Sequence, residues 1–147
     1  RESARTAAQG QLAAWSAVAQ RRDMRLTLTL AQPEAPALEF PAPLLRAVLS
    51  NLIRNSLQYA GPQASVVITA GPDFMQVADD GPGIAAERHE AVFSPFVRGE
   101  QPDAGNLGLG LSLVQRICAH QGWRVSLQSA PGRGTVFRVD LAAQPDA

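Results

Sequence analysis

Asn51, Asn55 and Tyr59 stand four residues apart, so a helix of about 3.6 residues per turn stacks them in one line. Leu44, Leu45, Val48, Leu49 and Leu52 form the apolar arc of that helix, and Ser50, Arg54 and Gln58 its opposite, wet side. Asn55 projects into the middle of the apolar arc with Tyr59 beside it, and Asn51 sits at the edge one turn earlier. A buried amide without partners costs about 1–3 kcal/mol, and asparagine is a mediocre helix former. One such asparagine reads as an amide satisfied by backbone or water. Three polar side chains in a line read as a polar cleft. An amide oxygen is a hard, neutral ligand suited to Mg²⁺, and tyrosine offers a flat ring to a base.

Three glycine loops accompany this line. Asp79-Asp80-Gly81-Pro82-Gly83-Ile84 follows a strand. Its alternate glycines allow the backbone close to a ligand, and a carboxylate there can accept a hydrogen bond from an exocyclic amine such as that of adenine. A plain Asp-Gly turn would look the same. Gly105-Asn-Leu-Gly-Leu-Gly-Leu-Ser112 opens a helix, where free N–H groups and the positive dipole end face a phosphate. A flexible hinge feeding an ordinary helix is the equal alternative, and the spacing is not that of a dinucleotide-binding G-x-G-x-x-G. Pro131-Gly-Arg-Gly-Thr135 is fully explained by a hairpin turn.

The elements that must position these residues follow from periodicity and breakers. Glu2 to Arg22 is Ala- and Gln-rich and proline-free, with Leu12, Trp15, Val18 and Ala19 on one stripe: a helix. Arg25 to Leu30 alternates strictly and is a strand. Pro41 and Pro43 open the asparagine helix, which runs to about Ala60 before Gly61-Pro62. Ser65 to Ala70 and Phe74 to Ala78 are strands flanking a Gly71-Pro72-Asp73 turn, and a short helix is expected near Ala86 to Val92. Ser94 to Asn106 reads as a long mobile loop. A helix from Gly108 to Gln121 and strands Trp123 to Ser129 and Thr135 to Leu141 complete the order, before a polar tail. The expected fold class is α/β (α+β): a two-layer sandwich with a mixed sheet of about five strands on three helices.

Composition narrows the chemistry. The 147 residues have the length of one domain, with 46% apolar residues and 13 basic against 13 acidic side chains. That balance argues against a nucleic-acid partner. All the basic residues are arginines, which excludes a P-loop and lysine-nucleophile chemistry. One cysteine and two histidines leave little for a Cys or His metal site. No apolar run approaches the roughly 20 residues of a membrane span. The expectation is a soluble, cytoplasmic chain or a cytosolic piece of something larger.

In order and spacing these pieces resemble the catalytic ATP-binding domain of bacterial two-component sensor histidine kinases, within the gyrase, Hsp90, histidine kinase and MutL superfamily. Leu49 to Ala60 is similar to the N box, Val77 to Ile84 to the G1 box, Val92 to Gly99 to the F box, Leu107 to Val114 to the G2 box, and Gly132 to Phe137 to the terminal G-x-G-T-x-F. The resemblance implies the Bergerat ATP-binding fold, with ATP and Mg²⁺ as ligands. It implies that Asn55 ligates Mg²⁺ bridging the phosphates and that Asn51 contacts the phosphates or their metal. Tyr59 would pack near the adenine, and Asp79 would accept from its amino group. Gly81, Gly83 and Ile84 would shape that pocket, and Thr135 would support it. Phe93 and Phe96 would anchor a lid, Arg98 would approach the γ-phosphate, and Leu107, Gly108, Leu109 and Gly110 would form the phosphate cradle. Two positions depart from the pattern: Gln58 stands where a basic residue usually precedes the tyrosine, and Asn106-Leu107 replaces the usual Gly-Thr or Gly-Ser start of the G2 box.

The ATP-hydrolysing relatives carry a glutamate four residues before the metal asparagine, as general base. Here that residue is Asn51, which cannot take a proton, and this favours transfer to a histidine, already nucleophilic when neutral. The family's acceptor motif is absent: His89 reads as surface and His120 as a helix-end residue. Residues 1–22 are thus expected to be a helix linking toward a dimerisation and phosphoacceptor domain, and residues 23–147 the ATP-binding catalytic domain. The implied partners are that domain and a response regulator receiver domain. The implied parent is a membrane-bound homodimeric sensor, and the fragment itself a monomer. A nucleotide-binding module with weak or no transfer, or an ATPase, is the alternative.

Overall fold

The computed structural model describes residues 1–93 and 110–141. Three helices, α1 (Ala4–Arg21), α2 (Ala42–Tyr59) and α3 (Gly110–Gln121), lie on a sheet of five strands: β1 (Arg25–Leu30), β2 (Ser65–Ala70), β3 (Phe74–Asp79), β4 (Arg124–Ser129) and β5 (Thr135–Asp140). The strand order is β1-β2-β3-β5-β4, with β1 parallel to β2 and every other pair antiparallel. The expected two-layer mixed sandwich is the observed one.

Alternation along the strands explains the single core. Val66, Ile68 and Ala70 of β2, Met75 and Val77 of β3, and Phe137 and Val139 of β5 are buried on the helix side. Against them α2 sets Leu45, Val48, Leu49, Leu52 and Ile53, all fully buried. Since α2 is the middle helix, with α1 on one flank and α3 on the other, even Ser50, Arg54 and Gln58 are half-buried instead of wet. Arg54 lies over the Trp15 ring of α1, its guanidinium carbon 5.7 Å from the ring centre.

The helix expected within residues 1–22 forms as α1 and packs against α2 and β1. Ala4, Ala7, Ala8 and Ala19 of α1 are buried in the same core, because small side chains on one stripe let the helix sit close to α2 and β1. Ser3 caps α1 by accepting from the Thr6 N–H. Glu2 pairs with Phe40 in an isolated antiparallel bridge and takes both guanidinium donors of Arg46, at 2.7 and 2.9 Å. The short helix expected near Ala86 to Val92 is instead two 3-10 turns, Ala86–Arg88 and Ala91–Phe93. The loop expected at 94–106, the start of the expected last helix at Gly108, and the tail lie outside the described residues. No helix among the described residues is long and apolar enough to cross a membrane.

Candidate functional site

A cleft of about 230 Å³ opens where the C-terminal end of α2 meets the end of β3 and the start of β5. Asn55, Tyr59, Asp79, Gly83, Ile84 and Thr135 all line it. Asn55 and Tyr59 of α2 and the aspartate loop after β3, separate in sequence, therefore face one space.

Asn55 is 7% exposed. No hydrogen bond engages its side chain among the described residues, although it borders the cleft. Asn51 differs: its Nδ2 donates to the Ala47 carbonyl at 2.7 Å, and its Oδ1 accepts from Arg54 at 3.4 Å. It does not line the cleft. Its Oδ1 lies against the first residue of α3, where a Cβ on Gly110 would come within 2.9 Å of it. The two asparagines thus separate by one helical turn into a cleft-facing amide and an amide at the α2–α3 seam.

Asp79 ends β3 in register with Thr135 of β5. Its Oδ2 accepts from the Ser56 hydroxyl and its Oδ1 from the Gly81 N–H, each at 2.9 Å. These two uncharged donors orient the carboxylate, a group that accepts hydrogen bonds and donates none when ionised. Ser56, 1% exposed, is the orienting residue that periodicity did not single out. It sits beside Asn55 on the buried side of α2, and its polarity there was the available signal.

The loop after Asp79 is locked to the β4–β5 turn. The Gly132 N–H donates to the Pro82 carbonyl at 2.7 Å. Gly83 and Gly134 have φ of +81° and +75°. A Cβ on Gly83 would run into the Ala130 carbonyl oxygen, and one on Gly134 into the Asp79 carbonyl oxygen. Ser129 completes the lock: it donates to the Gly134 carbonyl and accepts from the Ile84 N–H, each at 2.7 Å. With its only proton spent, it accepts also from the Thr135 hydroxyl, 3.0 Å away. The terminal glycine turn, fully explained in sequence as a hairpin, is thus also a wall support of the site.

On the other side, His89 is not merely surface. Its Nε2 is 3.0 Å from the Ile84 carbonyl, and since a carbonyl only accepts, the ring donates there. Phe93 stacks edge-on against Phe137, centroids 6.0 Å apart, and buried Val92 joins the cleft wall. Arg88, which the sequence reading passed over, is the only cation lining the cleft among the described residues. Phe96, Arg98, Leu107, Gly108 and Leu109 lie outside the described residues. Cys118 of α3 is buried, and burial pushes its thiol pKa up to about 11, so it is an inert packing residue. No cluster of three or more metal-ligating His, Cys, Asp or Glu occurs among the described residues.

Residues 41–145 match the family described as "Histidine kinase-, DNA gyrase B-, and HSP90-like ATPase". The chain is 34% identical over 131 residues to the sensory histidine kinase/phosphatase NtrB of Rhodobacter capsulatus, covering 77% of this chain and 36% of that one. It is 37% identical over 110 residues to the sensor protein KdpD of Mycobacterium tuberculosis, covering 71% and 13%. The chain therefore spans about a third or less of the length of these relatives. The catalytic domain of histidine kinase ThkA superimposes with a TM-score of 0.77 at 20% identity, covering 95% of this chain and 94% of that one. Full-length ShkA in complex with AMPPNP gives 0.79 at 25% identity, covering 95% and 31%. On the match over residues 41–145, the chain belongs to the histidine kinase-, DNA gyrase B- and HSP90-like ATPase family, with sensor histidine kinases as its relatives.

Proposed function

We propose that the cleft binds Mg-ATP and that the chain transfers the γ-phosphate to a histidine on the dimerisation domain of a sensor protein, for relay to a response regulator receiver domain. The observation that carries this reading is the pairing, in one cleft, of the unpartnered Asn55 amide with the oriented carboxylate of Asp79. A neutral buried amide without a partner suits a cation that is held mainly by phosphate oxygens and water. That donor set fits Mg²⁺, which when bound neutralises phosphate charge. Asp79 accepts from the adenine amino group, Thr135 and Ile84 close that end, and Tyr59 packs near the ring. Gly81 and Gly83 shape the loop beneath it. Asn51, Arg98, and Leu107 to Gly110 are assigned to the phosphate end on the family pattern.

In the transfer an imidazole nitrogen forms a bond to the γ-phosphorus as the bond from that phosphorus to the β-phosphate oxygen breaks, releasing ADP. With an amide at position 51, no carboxylate there can draw a proton from water, which supports transfer over hydrolysis. The parent is read as a homodimeric sensor at the cytoplasmic face of a membrane, with this chain on the cytoplasmic side. The test is label from γ-labelled ATP on a supplied phosphoacceptor domain. The reading expects acid-labile label on the acceptor, dependent on this chain, and none on the chain alone. Phosphate release without an acceptor would make it an ATPase, and bound ATP without labelling a nucleotide-binding module.

A further inference from the structure

Arg88 ends the first 3-10 turn after the aspartate loop and lines the same cleft as Asp79, Asn55 and Thr135. Its guanidinium makes no hydrogen bond, ion pair or ring contact among the described residues, while other arginines near α2 are engaged. Arg54 is held over Trp15 and against Asn51. Arg22 donates to the Leu57 carbonyl at 3.2 Å. Arg46 is paired with Glu2 at the far end of α2. Position 58, next to Tyr59, is a glutamine, so this stretch of α2 brings no cation to the cleft. The turn that carries Arg88 is also fixed. Its own N–H donates to the Ala85 carbonyl at 2.9 Å, and the next residue, His89, ties back to Ile84 at 3.0 Å. An exposed guanidinium at the rim of a cleft, without a carboxylate partner, is a planar multi-donor available to an anion.

Resting on the proposed reading of the cleft, we propose that Arg88 is a nucleotide-positioning residue that binds the phosphate chain of ATP from the side of the cleft opposite α2. It supplies the positive charge that Gln58 does not. On this reading Arg88 contributes to the cleft's preference for ATP over adenosine, alongside the groups assigned to the phosphate end, while the choice of base belongs to Asp79.

The experiment is calorimetric titration of the full chain and of Arg88→Gln and Arg88→Lys with Mg-ATP and with adenosine, at low and high salt. Arg88 is exposed, and thermal melts check that both variants fold. The expected result is about tenfold weaker ATP binding in Arg88→Gln, partial recovery in Arg88→Lys, unchanged adenosine binding, and a shallower salt dependence of ATP affinity in Arg88→Gln. Unchanged ATP affinity in Arg88→Gln overturns the proposal. Equal weakening for ATP and adenosine also overturns it, since that would mark a contact to the base or ribose. A parent chain that binds neither ligand would instead overturn the reading of the cleft itself.

Discussion

The two ends of the sheet share backbone hydrogen bonds but differ in what is added to them. At the end carrying the cleft, the loops are joined through backbone and buried hydroxyls: Gly132 to Pro82, Gly83 against Ala130, Gly134 against Asp79, and Ser129 binding three partners at once. At the opposite end, backbone bonds such as Leu141 N–H to the Asp73 carbonyl at 2.7 Å are supplemented by side chains nearer solvent: Arg46 with Glu2, Arg138 with Asp140 at 3.0 Å, and Arg138 over the Phe74 ring at 4.0 Å. Contacts of the first kind tolerate almost no displacement, because a carbonyl lies where a methyl group would go. Contacts of the second kind are screened and adjustable. The rigid devices sit where Asp79 and Thr135 must keep their places, and the cation at that end, Arg88, is left without an ion-pair partner among the described residues.

The contrast is broken most severely at Gly83. Gly83→Ala places a methyl group on the Ala130 carbonyl and forces a positive φ on an L residue. It is expected to cost about 3 kcal/mol of stability and to abolish nucleotide binding. Gly132→Ala sharpens the comparison, since Gly132 has a φ of +77° with open space around its absent Cβ. Only the backbone cost remains there, about 1 kcal/mol. Urea unfolding of the two variants measures the difference, and equal costs would remove the close approach from the account.

The smallest effect is expected at the other end, at Arg46→Ala. The hydrogen bonds and charge of Arg46 hold the Glu2 carboxyl below its ordinary pKa. A carboxyl whose pKa is depressed by folding adds stability above its unfolded pKa and loses it as pH falls through the folded value. The melting temperature of Arg46→Ala should therefore lie slightly below that of the parent at neutral pH, and the gap should close on acidification. A gap that is constant with pH would show that Arg46 contributes packing and not charge.

Sequence carried the helix line and the strand-end aspartate because both are local patterns: a polar residue on an apolar arc and a carboxylate before two glycines. Asn55 and Asp79 indeed face one cleft. What did not show in sequence depends on contacts between distant segments. Ser129 reaches Ile84 across 45 residues, and Ser56 reaches Asp79 across 23. Nothing in the pattern around a strand-end serine announces the first. His89 reads as surface because its partner is a backbone carbonyl, which no side-chain pattern reveals. The boundary expected after residue 22 came from the missing acceptor motif, whereas the alanine stripe of α1 packs into the common core.

The central claim is that Asp79, oriented by Ser56 and Gly81, reads the adenine of ATP in this cleft. The most direct measurement is the calorimetric affinity of the parent chain and of Asp79→Asn for Mg-ATP, with Mg-GTP alongside. An amide in place of the carboxylate can set a donor against the adenine amine, so the account predicts a loss of about 1.5–3 kcal/mol for ATP. It predicts weak GTP binding by the parent, because guanine presents a carbonyl where adenine presents the amine. Equal ATP affinity in parent and Asp79→Asn, or parent binding of GTP as tight as that of ATP, would contradict it.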